Sequence, residues 1–175
     1  LANWTFITMS SELRVDKIIP TTGVPTGGGG GIIQVVNLVK TDSYSTTSTS
    51  LQDITGFSLS ITPKFTTSKI LVLASGYISS QGNNHGVHLY FYRTRSGQSD
   101  VEVGKSYNQK ANVQSQTGGT FVIQNLDSPA TTSTLTYKGR LKTDSSSYNA
   151  RIGAGGNNGT QNIPESVITL MEVSA

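Results

Sequence analysis

Apolar residues recur at every second position in one stretch of this chain after another. In residues 57–62, Phe57, Leu59 and Ile61 alternate with Ser58, Ser60 and Thr62, and in residues 133–143, Leu135, Tyr137 and Leu141 share one side. A period of two belongs to a strand that buries one face. The same test predicts strands over residues 32–40, 69–79, 87–95, 120–126 and 167–173, a partner strand over 101–105, and weaker ones over 44–50 and 148–152. Polar, glycine-rich or asparagine-rich stretches separate them at 81–86, 106–117 and 153–162, and Pro63 and Asp127-Ser128-Pro129 mark turns. Eight to ten evenly spaced strands without a helical period predict an all-β fold, an antiparallel sandwich of the jelly-roll kind.

Two strands are apolar on both sides. In residues 69–79, Ile70, Val72 and Ile78 alternate with Leu71, Leu73 and Tyr77. In residues 87–95, Val87, Leu89 and Phe91 alternate with His88, Tyr90 and Tyr92. An antiparallel sheet usually leaves one face to water, so a second apolar face calls for a further layer. Without helices, that layer is either another copy of the chain or long loops. A homo-oligomer is the expectation, with Tyr77, His88, Tyr90 and Tyr92 as candidate interface residues.

The front of the chain is different. Residues 1–8 are apolar and brief, and read as a strand, a frayed terminus or a plug that inserts Trp4 and Phe6 into a partner. In residues 9–20, Leu13, Val15 and Ile18 keep neither period, and Pro20 stops any helix. The five glycines 27–31 then form a joint, since they have no side chains to pack and lose the most entropy on ordering. The expected division is an extended peptide and linker over 1–31 and a β domain over 32–175. The chain opens on Leu1. Whether the start is Met9, an unusual first codon or a processed leader stays open.

Composition sharpens this picture. Only 34% of the 175 residues are hydrophobic and 13% charged, while serine and threonine make up about a quarter. Low charge with many β-branched residues suits strands with a solvated face rather than a disordered chain. A net charge of +3 without a dense basic face argues against nucleic acid. The absence of cysteine excludes disulfides, thiolate metal sites and cysteine nucleophiles. No stretch of about 18 apolar residues predicts membrane insertion.

The leader 9–23 (MSSELRVDKIIPTTG), the glycine run and residues 32–36 (IIQVV) resemble the fibre-like structural proteins of tailed bacteriophages, those of marine cyanophages especially. The running order continues through 46–50 (TTSTS), 58–63 (SLSITP), 68–72 (SKILV), 126–129 (LDSP), Thr136-Tyr137-Lys138 and 167–173 (VITLMEV), so the resemblance covers about residues 9–175. It implies a virion protein: a homotrimer on the tail or the capsid surface, held to other virion proteins by its N-terminal peptide, with a β knob pointing outward. Trp4, Phe6, Leu13, Val15 and Ile18 are the candidate anchor residues. The alternatives are a capsid decoration or cement protein and a free carbohydrate-binding sandwich.

Little in the sequence suggests catalysis or a cofactor. His85 and His88, three apart, fall on opposite sides of a continuous strand and should not share a metal. No G-x-S-x-G elbow occurs, and the five glycines lack the Gly-Lys-Ser/Thr of a phosphate loop. Lys138, Arg140 and Lys142 line one side of a strand, either as a solvated face or as a contact for acidic polysaccharide or lipid head groups on a host. Tyr107 and Tyr148, in or beside polar loops, are candidate sugar contacts, with flat rings against pyranose faces and neighbouring amides for hydroxyls.

Overall fold

The periodicity becomes ten strands: β1 (Ile32–Lys40), β2 (Tyr44–Thr46), β3 (Gln52–Ile61), β4 (Lys69–Ser80), β5 (Val87–Thr94), β6 (Val101–Asn108), β7 (Thr117–Asp127), β8 (Leu135–Thr143), β9 (Ala150–Ile152) and β10 (Ser166–Val173). They are seen in a computed structural model that describes residues 31–80, 85–108, 117–154 and 164–174. The anchor candidates Trp4, Phe6, Leu13, Val15 and Ile18 lie outside the described residues.

The most apolar stretch, β4, is the spine of the first sheet. One edge pairs with β7 along its length, from Ile70↔Asp127 to Ser80↔Thr117. The other edge takes β10 from Lys69 to Ser75 and β9 from Ile78 to Ser80. Strands β1 and β2 complete this six-stranded sheet, and β3-β8-β5-β6 form a second, four-stranded one. All pairings are antiparallel, and the two sheets close on each other as a jelly-roll-like sandwich.

The core is what the alternation predicts. Ile70, Val72, Ala74 and Ile78 of β4, Phe121 and Ile123 of β7, and Ile168 and Leu170 of β10 meet Phe57, Leu89, Phe91, Leu135, Tyr137 and Leu141 of the second sheet. Phe57 sits edge-on to Phe91 at 6.0 Å and to Phe121 at 6.3 Å, the latter across the two layers. Its ring has room because β8 carries Gly139 beneath it: a Cβ there would lie 2.6 Å from Phe57 Cδ1. Gly56, at φ +73°, supplies the left-handed residue where β3 shifts register between Asp53 and Ser58.

Two carboxylates, Asp127 and Glu172, are held by hydrogen bonds at one end of the sandwich. Asp127 accepts both short bonds from Arg93 Nη1, at 2.6 and 2.7 Å, and one from the Tyr137 hydroxyl at 2.7 Å. Glu172, fully buried, accepts from Gln34 Nε2 at 2.5 Å and from the Lys64 amide at 2.6 Å. Burial alone would raise the Glu172 pKa, but its hydrogen bonds outweigh that and hold the carboxyl below its ordinary value. A lowered folded-state pKa adds stability above the ordinary glutamate value, and that stability is lost as pH falls through the folded value. Melting temperatures measured between about pH 5 and pH 3 should therefore fall more steeply for the native chain than for Glu172→Gln.

The strand ends give the sandwich a direction. Ile32, Val173, Lys69 and Asp127 meet at one end, and Gly31, the last residue of the glycine joint, stands there. At the other end Ser80 meets Thr117 and Ala150, Val87 meets Asn108 and Thr143, and Lys40 meets Ser166. The β4–β5, β6–β7 and β8–β9 connections therefore all leave from the end away from the joint.

Some boundaries differ from the sequence expectation. Strand β3 starts at Gln52, because Gly56 interrupts an alternation that the bulge then restores. Strand β6 runs on to Asn108, so Tyr107 is a strand residue paired with His88 rather than part of a loop. Strand β9 starts only at Ala150, leaving Tyr148 in a turn whose amide bonds to the Ser145 carbonyl.

Candidate functional site

Three of the four candidate interface residues and four of the five candidate host contacts converge on one surface, the outer face of the second sheet. Antiparallel register sets His88 opposite Lys142, Tyr90 opposite Arg140 and Tyr92 opposite Lys138, with Tyr107 and Lys105 of β6 opposite His88 and Tyr90. Directly opposed residues share a face, so two independent sequence patterns become one surface. Tyr77 is not part of it. That residue lies on β4, in the first sheet, and its ring covers Gly118 of β7.

On this face the rings of His88, Tyr90 and Tyr92 form a ladder, tilted by only 17° and 19° from one to the next, with centroids 6.5 and 6.3 Å apart. The Arg140 guanidinium stands over the Tyr92 ring at 4.7 Å. Asp53, across from β8, accepts from Lys138 Nζ at 2.8 Å and Arg140 Nε at 2.6 Å, and Asp100 takes Arg140 Nη2 at 2.5 Å. Desolvation pushes the Asp53 pKa up, but the two cations more than offset it and keep the carboxyl ionised below its usual range. Two of the three cations in the predicted stripe are thus neutralised within the face, and of the three Lys142 is left without an ion pair among the described residues. Charge-paired side chains beside flat rings suit the hydroxyls and ring faces of a sugar better than a polyanion.

The face ends, away from the joint, in a second aromatic group. Asp144 bonds to His88 Nε2 at 2.5 Å and to the Gly86 amide at 2.9 Å. Burial would raise the Asp144 pKa, and the His88 and Gly86 bonds override it and lower the pKa. Tyr107, half exposed, packs on His88 at 4.4 Å, and Tyr148 stacks on His85 at 4.1 Å. Burial first, and then the Asp144 charge, raise the Tyr107 pKa, which keeps its hydroxyl a donor. Tyr107 and Tyr148 are thereby brought to the same end, as parts of two ring pairs. The two histidines go separate ways, and among the described residues no three His, Asp or Glu side chains converge on a metal position.

Sequence reasoning missed Asp53, Asp100 and Asp144. Asp144 was within reach, since it continues the alternate-residue stripe of Lys138, Arg140 and Lys142. Asp53 and Asp100 come from other strands or turns, and only the sheet order brings them in.

No family model matches the chain, and no curated protein does. Among solved structures, the chain is similar to infectious bursal disease virus Gx strain, with 13% identity over 89% of this chain and 44% of the other and a TM-score of 0.43. It is also similar to the T13 viral particle of the same virus (15% identity, 89% and 41% covered, TM-score 0.38) and to its Gt strain (14%, 89% and 42%, TM-score 0.30). The chain spans less than half the length of the chains it matches.

Proposed function

We propose that this chain is a non-enzymatic structural protein of a phage virion: a homotrimeric tail or capsid fibre, tied down by its N-terminal peptide, whose sandwich meets a host surface. The observation that carries this reading is the direction of the fold. Gly31, the last of the five glycines, stands at one end, and the ring pairs of His88–Tyr107 and His85–Tyr148, with three strand connections, occupy the other. The leader and the running order of short motifs in the sequence supply the phage assignment.

The test uses particles. Deleting residues 1–26 should leave the sandwich folded and remove the protein from purified virions, as followed by an antibody to the β domain. Virions that still carry the truncated chain would overturn the anchoring role. Replacing Tyr107 and Tyr148 together with alanine should slow adsorption to host cells several-fold without changing the melting temperature by more than a few degrees. Unchanged adsorption would remove the host-contact role and favour a decoration protein. A second reading, a free carbohydrate-binding module, is favoured by the charge-paired Tyr90–Tyr92 face alone. It predicts sugar binding by the truncated chain and no association with particles.

A further inference from the structure

The outer face of the first sheet differs in kind from that of the second. Three rows of directly opposed residues cross the strands β1, β10, β4 and β7. The first is Val35, Met171, Leu71 and Leu126, the second Asn37, Thr169, Leu73 and Gln124, and the third Val39, Val167, Ser75 and Val122. The outermost members stand in water: Val122 is 73% exposed, Val35 52% and Leu126 51%. Exposed apolar residues scattered singly need no explanation, but rows of them on one sheet face mark an interaction surface.

We infer that this face is where copies of the chain meet, and that the tyrosine ladder of the second sheet stays free. Charge identifies the occupant. The rows contain no ionisable side chain, although the chain has 13 Lys and Arg and 10 Asp and Glu. Lys69 stands at one end of the face, and Glu165, on the rim of the hollow beside the third row, and Arg151 of β9, opposite Ser79, stand at the other. A charged partner would find nothing to pair with here, whereas an identical uncharged face matches it without desolvating an ion. The middle row adds neutral donors and acceptors, of which Asn37 Nδ2 already bonds Thr169 Oγ1 at 2.8 Å. Beside the third row a hollow of about 430 Å³, lined by Tyr77, Val122 and Pro164 among others, has room for apolar side chains of a neighbour. With this face turned to a common axis, the joints at Gly31 would all leave from one end. Of the four residues first expected at an interface, Tyr77 alone remains there, while His88, Tyr90 and Tyr92 bond and stack within their own subunit.

This inference deepens the oligomeric part of the proposed function and is independent of host attachment. Size-exclusion chromatography with light scattering on the full chain, at tens of micromolar, reads it directly. The native chain should show a multiple of the monomer mass, three-fold if the fibre reading holds, and Val35→Lys with Val122→Lys should reduce it to the monomer. Both residues are exposed in the single subunit, so the variant should keep the native circular dichroism. Tyr90→Ala, the control on the second sheet, should leave the mass unchanged. A native monomer, a double variant that stays associated, or dissociation by Tyr90→Ala would each overturn the inference. Loss of association on deleting residues 1–26 would overturn it too, by assigning the contact to the leader. An adsorption experiment that fails leaves every one of these outcomes untouched.

Discussion

Replacing Phe57 with alanine should lower the unfolding free energy by about 3–5 kcal/mol. No part of this side chain is exposed, and it is the ring on which the two layers converge: Phe91 beside it in its own sheet, Phe121 opposite, Gly139 beneath. Truncation removes the transfer energy of a full ring and two edge-to-face contacts. The cavity left behind has walls made of paired strands, which cannot collapse into it. Against a total of about 5–15 kcal/mol for a domain, this is a large fraction. Urea denaturation at fixed protein concentration should show a lower midpoint with an unchanged slope. A shift equivalent to less than about 1 kcal/mol would mean that the layers do not depend on this contact.

The second large effect should come from Asp127→Ala, again about 3–5 kcal/mol, by a different route. The Arg93 and Asp127 side chains are only 17% and 12% exposed. Removing the carboxylate leaves a guanidinium with little water and no counter-charge, and takes the acceptor from the buried Tyr137 hydroxyl. Burial, and then the Asp127 charge, raise the Tyr137 pKa far above that of a free phenol, so this hydroxyl donates at any ordinary pH. Asp127 closes β7 of the first sheet, whereas Arg93 and Tyr137 belong to β5 and β8 of the second. Its loss should therefore loosen the joint end first, as amide exchange along Ile70–Val72 and Leu135–Tyr137 would show. Tyr137→Phe keeps the ion pair and should cost only about 1 kcal/mol.

The division between inside and outside was legible wherever a strand alternates without interruption. Strands β4, β5 and β8 show the faces that their sequences predict, because a period of two leaves each residue only two directions. The alternation fails as a guide at Gly56, where one left-handed residue shifts the register, and at β6, where Tyr107 belongs to a strand of mostly polar residues. The two apolar second faces were also legible one by one. What the sequence does not contain is which sheet each strand joins. Tyr77 and Tyr90 look alike in their own strands, yet β7 sets Thr120 opposite Tyr77 and Gly118 under its ring, whereas β8 and β6 set Arg140 and Lys105 beside Tyr90. The neutralisation of Lys138 and Arg140 was hidden for the same reason: Asp53 is 85 residues away from Lys138 along the chain.

The grouping of strand connections away from the joint has a consequence for how such a protein can diversify. The pairs Ser80–Thr117, Ser80–Ala150, Val87–Asn108 and Val87–Thr143 fix both feet of each connection in a ladder. Closing a longer connection costs little, about 0.6 kcal/mol for each doubling of its length. Insertions and substitutions at that rim can therefore accumulate at small thermodynamic expense, while the layer beneath stays the same. Lineages that share this scaffold should differ most along the rim and least around Phe57.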